Sequence, residues 1–323
     1  MSFYESPRTE DLSSSLISED ISDSALTDDS PRGKLKTGYY LEKKIGAGKF
    51  GSVYKGIDCA SERSVAIKVV DLTKDKERIT GFREIEIYKK LTGASSNIIE
   101  YYHSFIHQDE QRLYIIMEVG KIDLFSLLNS KVDPSKLPFL LNDNVKTKMT
   151  SQISRGVSFL QTKGLIHRDI KPENIIVCKT GLKICDFGLS IFYDELNPPD
   201  EFIGTLDYLA PEIIKCRGPD ASPYCPSVDL WSLGIVIYEI FTGTTPFYNQ
   251  DIKTTALNIL TYNDCIIYPQ GKVPPMPVCR LLKQLIRLSD KEREIDQNFF
   301  GLPSENSSLQ SGSWSQDIFS SSE

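Results

Sequence analysis

Three side chains with complementary chemistry lie close together near the middle of the chain: Asp169, Lys171 and Asn174, in the stretch from His167 to Asn174. A carboxylate can take a proton from a hydroxyl, an ammonium can hold phosphate charge, and an amide oxygen can hold a metal ion. Pro172 stiffens the backbone between them. The alternative is an ordinary charged surface loop, because short motifs also occur by chance.

The neighbouring elements favour a functional site. Apolar residues at helical spacing from Val145 to Leu160 predict a helix before this stretch, and the apolar run Ile175–Val177 predicts a strand after it. A second strand pattern, Leu182–Cys185, leads directly to Asp186. An acid at this strand end, beside Asn174, would complete a magnesium pair, since Mg²⁺ prefers hard oxygen ligands and takes others from phosphates.

A glycine-rich turn lies between two strand patterns nearer the N-terminus. Tyr39–Ile45 alternates like a strand, Gly46, Gly48 and Gly51 follow, and a second strand pattern continues through Val53. A dinucleotide-binding fold would instead place a helix after the glycines. These glycines suit a hairpin whose backbone approaches a polyphosphate, a contact that a Cβ would obstruct.

Lys68 ends an apolar strand pattern that begins at Val65, and it is a candidate phosphate ligand behind that hairpin. The helix predicted over residues 76–91 carries two acids, Glu84 and Glu86, that are available to pair with it. The alternatives are that Lys68 is an edge residue whose ammonium reaches solvent and that both acids are solvated.

The composition is that of an ordinary soluble globular protein. The 323 residues are 40% hydrophobic and 25% charged, and a formal charge of −7 argues against broad binding to nucleic acids or membrane surfaces. The seven cysteines are scattered, which favours a reducing compartment, and the N-terminus lacks a signal-peptide pattern. We therefore expect an intracellular protein, cytoplasmic or nuclear or both, that is a monomer and binds neither nucleic acid nor membrane.

Both ends of the chain have the composition of disordered segments. Residues 1–36 are rich in serine and acid and poor in aromatic residues, and residues 299–323 are serine-rich. In the first tail, four apolar residues lie roughly on one helical face and predict a short helix that docks on a partner, although such patterns also arise by chance. These residues are Leu12, Leu16, Ile17 and Ile21.

These motifs, followed by Ala210-Pro211-Glu212, resemble in order and context those of the eukaryotic-type serine/threonine protein kinase family. The resemblance covers residues 37–298, and the segment Gly204–Leu209 is similar to that of Aurora-like kinases. The family implies an α+β, bilobal fold with a small β-rich N-lobe over residues 37–119 and a larger, mostly helical C-lobe over residues 120–298.

The resemblance also implies ATP and Mg²⁺ as cofactors, with Mn²⁺ as an alternative metal. The catalytic residues would be Asp169, as the base, and Lys171, over the γ-phosphate, and the metal ligands would be Asn174 and Asp186. The nucleotide-binding residues would contact the phosphates, the ribose and both faces of the adenine of ATP. They are Ile45, Gly46, Gly48, Gly51, Val53, Ala66, Lys68 with its partner Glu84, Met117, Glu118, Gly120, Asp123 and Ile176.

The activity implied is transfer of the ATP γ-phosphate to Ser and Thr hydroxyls of protein substrates. Lys171, two residues after Asp169, and Thr205 match the serine/threonine pattern rather than the tyrosine-specific one. Two further pairings are structural: Glu212 should pair with Arg293, and Asp229 should anchor the catalytic loop. Other classes predict different residues. A catalytically weak kinase-fold scaffold or binding module would be expected to lose Lys68, Asp169 or Asp186, and a small-molecule or lipid kinase would be unlikely to keep Glu212 with its arginine partner.

One departure from the family pattern concerns the segment before Thr205. Many kinases carry a phosphorylated Ser or Thr four or five residues earlier, whose phosphate meets the arginine preceding the catalytic aspartate. Here those positions are Asp200 and Glu201. We hypothesise that one of these carboxylates pairs with Arg168, with Arg83 as a second partner, and orders the segment without phosphorylation. The alternative is that both acids are solvated.

Two other acids bear on substrate choice. Glu173 and Glu239 fall at positions that, in basophilic kinases, meet an arginine upstream of the phosphoacceptor. They predict a preference for basic substrates. The alternative is that glutamate occupies both positions for other reasons.

Overall fold

The structure is a computed structural model in which most of the chain between the two predicted tails can be described. The described residues are 33–35, 38–48, 51–129, 142–217, 222–296 and 299–300. The predicted docking face, Leu12–Ile21, lies outside them. They divide into two compact units, the first ending at Val119 and the second beginning at Gly120, with residues 94–98 belonging to the second.

The inner ends of both predicted tails belong to the fold. Residues 33–34 form a strand, and the adjacent Leu35 is buried in an apolar cluster of the first unit. Phe299 is also buried, and the guanidinium of Arg155 lies over the ring of Phe300. An apolar side chain at the inner end of each predicted tail, Leu35 in the first and Phe299 in the second, is therefore packed against the fold.

The first unit is one antiparallel sheet of six strands in the order β1-β2-β3-β4-β6-β5, with a single long helix. Successive side chains of each strand point to opposite faces of the sheet, so apolar residues lie on both faces. The helix covers one face. The elements of this unit are β1 (Gly33–Lys34), β2 (Tyr39–Gly48), β3 (Gly51–Asp58), β4 (Arg63–Asp71), α1 (Asp75–Leu91), β5 (Tyr101–His107) and β6 (Arg112–Glu118).

The glycine-rich turn joins β2 to β3, with Gly48 opposite Gly51, so the predicted hairpin is confirmed. Gly51 has φ = 142°, a region that other residues rarely adopt. A Cβ there would also collide with the carbonyl oxygen of Val69 on β4. Glycine at this position is thus required by the sheet itself, a reason that the sequence pattern did not reveal.

The second unit is mostly helical, with two small sheets. Asn142 begins its longest helix, because its side-chain oxygen accepts the backbone N–H groups of Asn144 and Val145. Its elements are β7 (Ile122–Asp123), α2 (Leu124–Asn129), α3 (Asp143–Thr162), β8 (Leu165–Ile166), β9 (Ile175–Cys178), β10 (Gly181–Ile184), β11 (Ile191–Phe192), α4 (Pro211–Lys215), α5 (Val228–Thr242), α6 (Ile252–Leu260) and α7 (Met276–Leu285), with 3₁₀ turns at Pro172–Asn174, Leu206–Tyr208 and Asp290–Glu292.

Helix α5 is the centre of the second unit, and every one of its residues is buried. Its almost wholly apolar sequence accounts for this burial. Gly234 allows α7 to approach closely, since a Cβ there would lie 3.0 Å from the Cβ of Leu285. Among the described residues, no helix is long and apolar enough to cross a membrane.

The C-terminal part of the second unit differs from the periodic pattern. Amphipathic spacing runs from Leu281 to Ile295, but α7 spans Met276–Leu285 and the 3₁₀ turn Asp290–Glu292 follows it. Arg293 lies beyond that turn and forms the predicted ion pair with Glu212 of α4, at 2.9 Å between Nη2 and Oε2.

Candidate active site

The loop between β8 and β9, residues 167–174, is the predicted catalytic loop, and a buried carboxylate anchors it. Asp229, near the start of α5, accepts the backbone N–H groups of His167 at 2.6 Å and of Arg168 at 3.0 Å. Burial raises the pKa of this carboxyl, while the two N–H groups and the nearby positive charge oppose that shift. The predicted anchoring role of Asp229 is confirmed, and it holds Arg168 at φ = 67° immediately before Asp169.

The Asp169 carboxylate is oriented by three donors. Thr205 donates its hydroxyl to Oδ1 at 2.8 Å, and on Oδ2 the Nζ of Lys171 lies at 2.8 Å and the Nδ2 of Asn174 at 3.1 Å. Lys171 also donates to the Thr205 hydroxyl at 2.9 Å. The structure thus brings Asp169, Lys171 and Asn174 together and adds a fourth residue, Thr205. A carboxylate fixed in this way is positioned to accept a proton from a substrate hydroxyl.

The two candidate metal ligands lie at the same end of the β9–β10 hairpin. Asn174 immediately precedes β9, Asp186 follows β10 by two residues, and the N–H of Cys185 donates to the carbonyl oxygen of Asn174 at 3.0 Å. Asn174 donates hydrogen bonds to Asp169 through Nδ2. Its amide oxygen is therefore the atom that could bind a cation.

This donor set fits Mg²⁺. Its oxygen ligands are one carboxylate and one amide, and Mg²⁺ commonly binds to one or two protein ligands and completes its shell with phosphate oxygens and water. In the part of the chain that the structure describes, no group of three or more His, Cys, Asp or Glu side chains forms a self-sufficient metal site. With Asn174 and Asp186 as its protein ligands, a metal here would complete its shell with phosphate oxygens and water.

In the first unit, Lys68 and Glu84 form a buried ion pair. The Nζ of Lys68 lies 2.7 Å and 2.9 Å from the two carboxylate oxygens of Glu84, which is fully buried on α1, whereas Glu86 is exposed. The prediction of Glu84 rather than Glu86 is confirmed. A buried ammonium held by a carboxylate keeps a fixed position, as a phosphate ligand requires.

The other candidate nucleotide residues of the first unit lie on β2, β3, β4 and β6. Val53 is paired with Lys68, and Ala66 is paired with Met117. Met117 is buried and its sulfur accepts the hydroxyl of Tyr88, while Ile45 is partly exposed on β2. The remaining members are Gly46, Gly48 and Gly51 in the hairpin and Glu118 at the end of β6.

The second unit carries the last three candidates, Gly120, Asp123 and Ile176. Asp123 and Ile176 are paired across β7 and β9, and a Cβ on Gly120 would collide with the side chain of Ile176. The Asp123 carboxylate accepts the N–H and the hydroxyl of Ser126, both at 2.7 Å. Its structural role is therefore to begin α2, and a ribose hydroxyl would have to share it.

Three acids lie near one another beside the catalytic loop. Glu239 of α5 is buried and accepts the hydroxyl of Tyr208 at 2.7 Å. Burial is the main cause of its raised pKa, and the charges of Glu173 and Asp207 raise that pKa further. Burial also raises the pKa of Asp207. Asp207 and Tyr208 were not predicted as part of this group, because they come together with Glu239 only through the packing of α5.

The hypothesis of an acid that pairs with Arg168 is borne out for Glu201. Its Oε2 lies 2.6 Å from Nη1 of Arg168, whose guanidinium also donates to the carbonyl oxygen of Leu189 and to the hydroxyl of Tyr224. Asp200 is exposed and is not a partner of Arg168. No property of the sequence pointed to Tyr224, which lies 56 residues from Arg168 along the chain.

Comparison with known families agrees with this arrangement. A model described as the protein kinase domain matches residues 39–295, so the chain belongs to the protein kinase family. The resemblance found in the motifs and the expected α+β kinase fold are thereby confirmed.

Several curated relatives are serine/threonine kinases by name. The chain is 38% identical over 205 residues to serine/threonine-protein kinase ppk11 of Schizosaccharomyces pombe, which covers 63% of this chain and 61% of the relative. It is 34% identical over 230 residues to an Aurora kinase of Saccharomyces cerevisiae (67% and 56%) and 32% identical over 235 residues to serine/threonine-protein kinase atg1 of Dictyostelium discoideum (69% and 33%). The chain thus spans less than two thirds of the length of each of these relatives.

Proposed function

We propose that the chain transfers the γ-phosphate of ATP to Ser and Thr hydroxyls of protein substrates. The observation that carries this proposal is the Asp169 carboxylate held by Thr205, Lys171 and Asn174 at hydrogen-bond distance. Such a group can accept the proton of an attacking hydroxyl, while the ammonium beside it carries a charge suited to the transferred phosphate.

The proposed roles follow from what each residue can donate or accept. Lys68, fixed by Glu84, would hold the α- and β-phosphates, and Lys171 would hold the γ-phosphate. Asn174 and Asp186 would bind Mg²⁺, which when bound neutralises the phosphate charge. Asp169 would then orient the substrate hydroxyl and take its proton as the hydroxyl oxygen bonds to the γ-phosphorus. The bond from that phosphorus to the β–γ bridging oxygen would break in the same step and release ADP.

The serine/threonine class is supported by Lys171 and Thr205, which share one hydrogen-bond network with Asp169. The alternative of a catalytically weak scaffold predicts the loss of a phosphate, base or metal residue. The sequence retains Lys68, Asp169 and Asp186, and no contact in the described residues favours the scaffold. We therefore retain the active enzyme as the proposal.

The finer attributes are proposals of the same kind. We infer Mg²⁺ as the metal, with Mn²⁺ as an alternative, and a monomeric intracellular protein of the cytoplasm or nucleus whose first tail docks on a partner. Among the described residues, none of the seven cysteines forms a disulfide, which agrees with a reducing compartment.

The test is Mg·ATP-dependent phosphate transfer to a generic protein substrate by the full chain, with Asp169→Asn as the control. The amide keeps the size of the side chain but cannot take the proton, so we expect a loss of about 10²- to 10⁴-fold in kcat. Equal incorporation by wild type and by Asp169→Asn would refute the proposal. A thermal unfolding scan of both proteins checks that the variant is folded.

We further propose a preference for substrates with a basic residue upstream of the phosphoacceptor. Glu173, Asp207 and Glu239 place negative charge close together. Burial raises the pKa values of Asp207 and Glu239, and the charges of Glu173 and Asp207 raise that of Glu239 further. An arginine from the substrate would supply a counter-ion.

A peptide pair that differs only by Arg or Ala upstream of the acceptor tests this preference. Because the pKa values of Asp207 and Glu239 are raised, these two side chains become charged at a higher pH than ordinary carboxyl groups do. The ratio of kcat/KM for the Arg peptide to that for the Ala peptide should rise as they become charged, and a ratio of one at every pH would remove the preference.

A further inference from the structure

We propose that Glu201 is a positioning residue for phosphate transfer, acting through Arg168 and replacing a phosphate on the segment from Asp186 to Ala210, here called the activation segment. The inference rests on the proposed function. It goes beyond the ion pair itself, because it assigns to that pair the control of the catalytic loop, and it predicts full activity from a chain that carries no phosphate.

The first observation is that the activation segment offers no available Ser or Thr hydroxyl. Ser190 and Thr205 are its only such residues. Ser190 is fully buried and donates to the carbonyl oxygen of His167 at 3.2 Å, and Thr205 donates to Asp169. A phosphate on either residue would break its hydrogen bond to the catalytic loop. Phosphorylation of Ser190 or Thr205 therefore cannot order the activation segment in the conformation that the structure shows.

The second observation is the position of Arg168. Its side chain is only 2% exposed, and that of Glu201 is 65% exposed, so the acid reaches inward to the guanidinium. Glu201 is the carboxylate that pairs with Arg168 in the described residues; the other acceptors of the guanidinium are the carbonyl oxygen of Leu189 and the hydroxyl of Tyr224. Loss of Glu201 would remove the carboxylate that is hydrogen-bonded to this buried guanidinium, which is strongly unfavourable.

The third observation explains how Glu201 is presented. On one side, the N–H of Tyr224 donates to the carbonyl oxygen of Pro199 at 2.9 Å. On the other side, the guanidinium of Arg217 lies 3.7 Å from the ring centroid of Phe202. These contacts hold the backbone on both sides of Glu201 without any need for its charge, so they limit the entropy lost when the carboxylate pairs.

The consequence for catalysis follows from chain connectivity. Arg168 directly precedes Asp169, and its guanidinium joins the catalytic loop to Leu189 and Glu201 of the activation segment. When the pair is lost, the loop can relax and Asp169 loses its fixed orientation. Since hydrogen bonds to charged groups are worth about 1.5–3 kcal/mol, we expect a decrease in kcat of roughly 10- to 100-fold, with little change in the KM for ATP.

The experiment uses the full chain treated with phosphatase and checked by mass spectrometry for the absence of phosphate. Glu201→Gln removes the charge, Glu201→Asp keeps it on a shorter side chain, and Asp200→Asn is the matched control, because it removes one charge from the adjacent exposed residue. We expect dephosphorylated wild type and Asp200→Asn to be equally active, Glu201→Gln to lose kcat and Glu201→Asp to recover part of it. Hydrogen exchange at residues 167–170 and 189–202 should increase only in Glu201→Gln and, to a lesser extent, in Glu201→Asp.

Two outcomes would overturn the inference alone. One is that untreated wild type is active and phosphatase-treated wild type is not, since a phosphate would then be required. The other is that Glu201→Gln matches Asp200→Asn in kcat and in hydrogen exchange. If no form transfers phosphate, whether or not it was treated, the proposed function itself fails and this inference fails with it.

Discussion

Thr205 couples the two candidate catalytic side chains of the second unit. Its hydroxyl accepts a hydrogen bond from Lys171 and donates one to Asp169, so a single oxygen sets the distance between an ammonium and a carboxylate. Without this hydroxyl, the side chains of Lys171 and Asp169, now paired at 2.8 Å, could move closer together or rotate relative to one another. Thr205 therefore acts on the geometry of the base as well as matching the serine/threonine pattern.

Substitution of Thr205 tests this coupling. Thr205→Ala removes a hydrogen bond to a charged group, worth about 1.5–3 kcal/mol, and kcat should fall by roughly 10- to 100-fold. Thr205→Ser keeps the hydroxyl and should retain most of the activity. The measurement is steady-state kcat and KM for both variants, and equal losses in Ala and Ser would contradict the coupling.

At the scale of single residues, the sequence predicted those side chains whose partners lie at a fixed distance within a motif. Asp169, Lys171 and Asn174 are close in sequence and are therefore close in space. Glu84 could be chosen over Glu86 because its place on the helix matches the register of the protein kinase family. The contacts of Tyr208 and Tyr224 depend on segments that meet only after the second unit has packed, and a tyrosine alone carries no sign of its partner.

Among the elements, helix α4 depends on an ion pair that lies almost wholly inside the protein. The Arg293 side chain is fully buried and that of Glu212 is 16% exposed. Arg293 also donates to the carbonyl oxygens of Arg287 and Leu288, which explains why α7 does not continue through the amphipathic stretch. In a longer helix these two carbonyl oxygens would accept backbone N–H groups, but here they accept the guanidinium of Arg293. The periodicity of apolar residues cannot predict such a contact.

A double-mutant cycle on Glu212 and Arg293 measures the contribution of this pair. Glu212→Gln leaves a buried guanidinium that cannot lose its charge, so we expect a destabilisation of about 3–5 kcal/mol. Glu212→Gln combined with Arg293→Met should cost clearly less than the sum of the two single changes. Urea unfolding followed by fluorescence gives the free energies, and additive losses would show that the two side chains do not interact.

At the scale of the whole molecule, the candidate residues for one reaction are distributed over both units. Lys68 and Glu84 belong to the first unit, and Asp169, Asn174 and Asp186 belong to the second. The order of motifs along the chain was sufficient to predict the protein kinase family and its α+β fold, since each motif occurred in its expected strand or helix. The strand at residues 33–34 was missed because a two-residue strand has no periodicity to detect.

Ligand-induced stabilisation can distinguish the candidate phosphate ligand Lys68 from the candidate metal ligand Asp186 without a measurement of catalysis. A ligand that binds only the folded protein, present at 100 times its Kd, stabilises it by about 2.7 kcal/mol, so ATP with Mg²⁺ should raise Tm measurably. Lys68→Met should lose this rise with and without the metal, because it removes a phosphate ligand. Asp186→Asn should lose only the part that chelation with EDTA abolishes in wild type, because it removes a metal ligand. Glu86→Gln, the exposed neighbour of the paired Glu84, serves as the control and should behave like wild type. If Asp186→Asn kept the full sensitivity to EDTA, the metal would have to bind elsewhere.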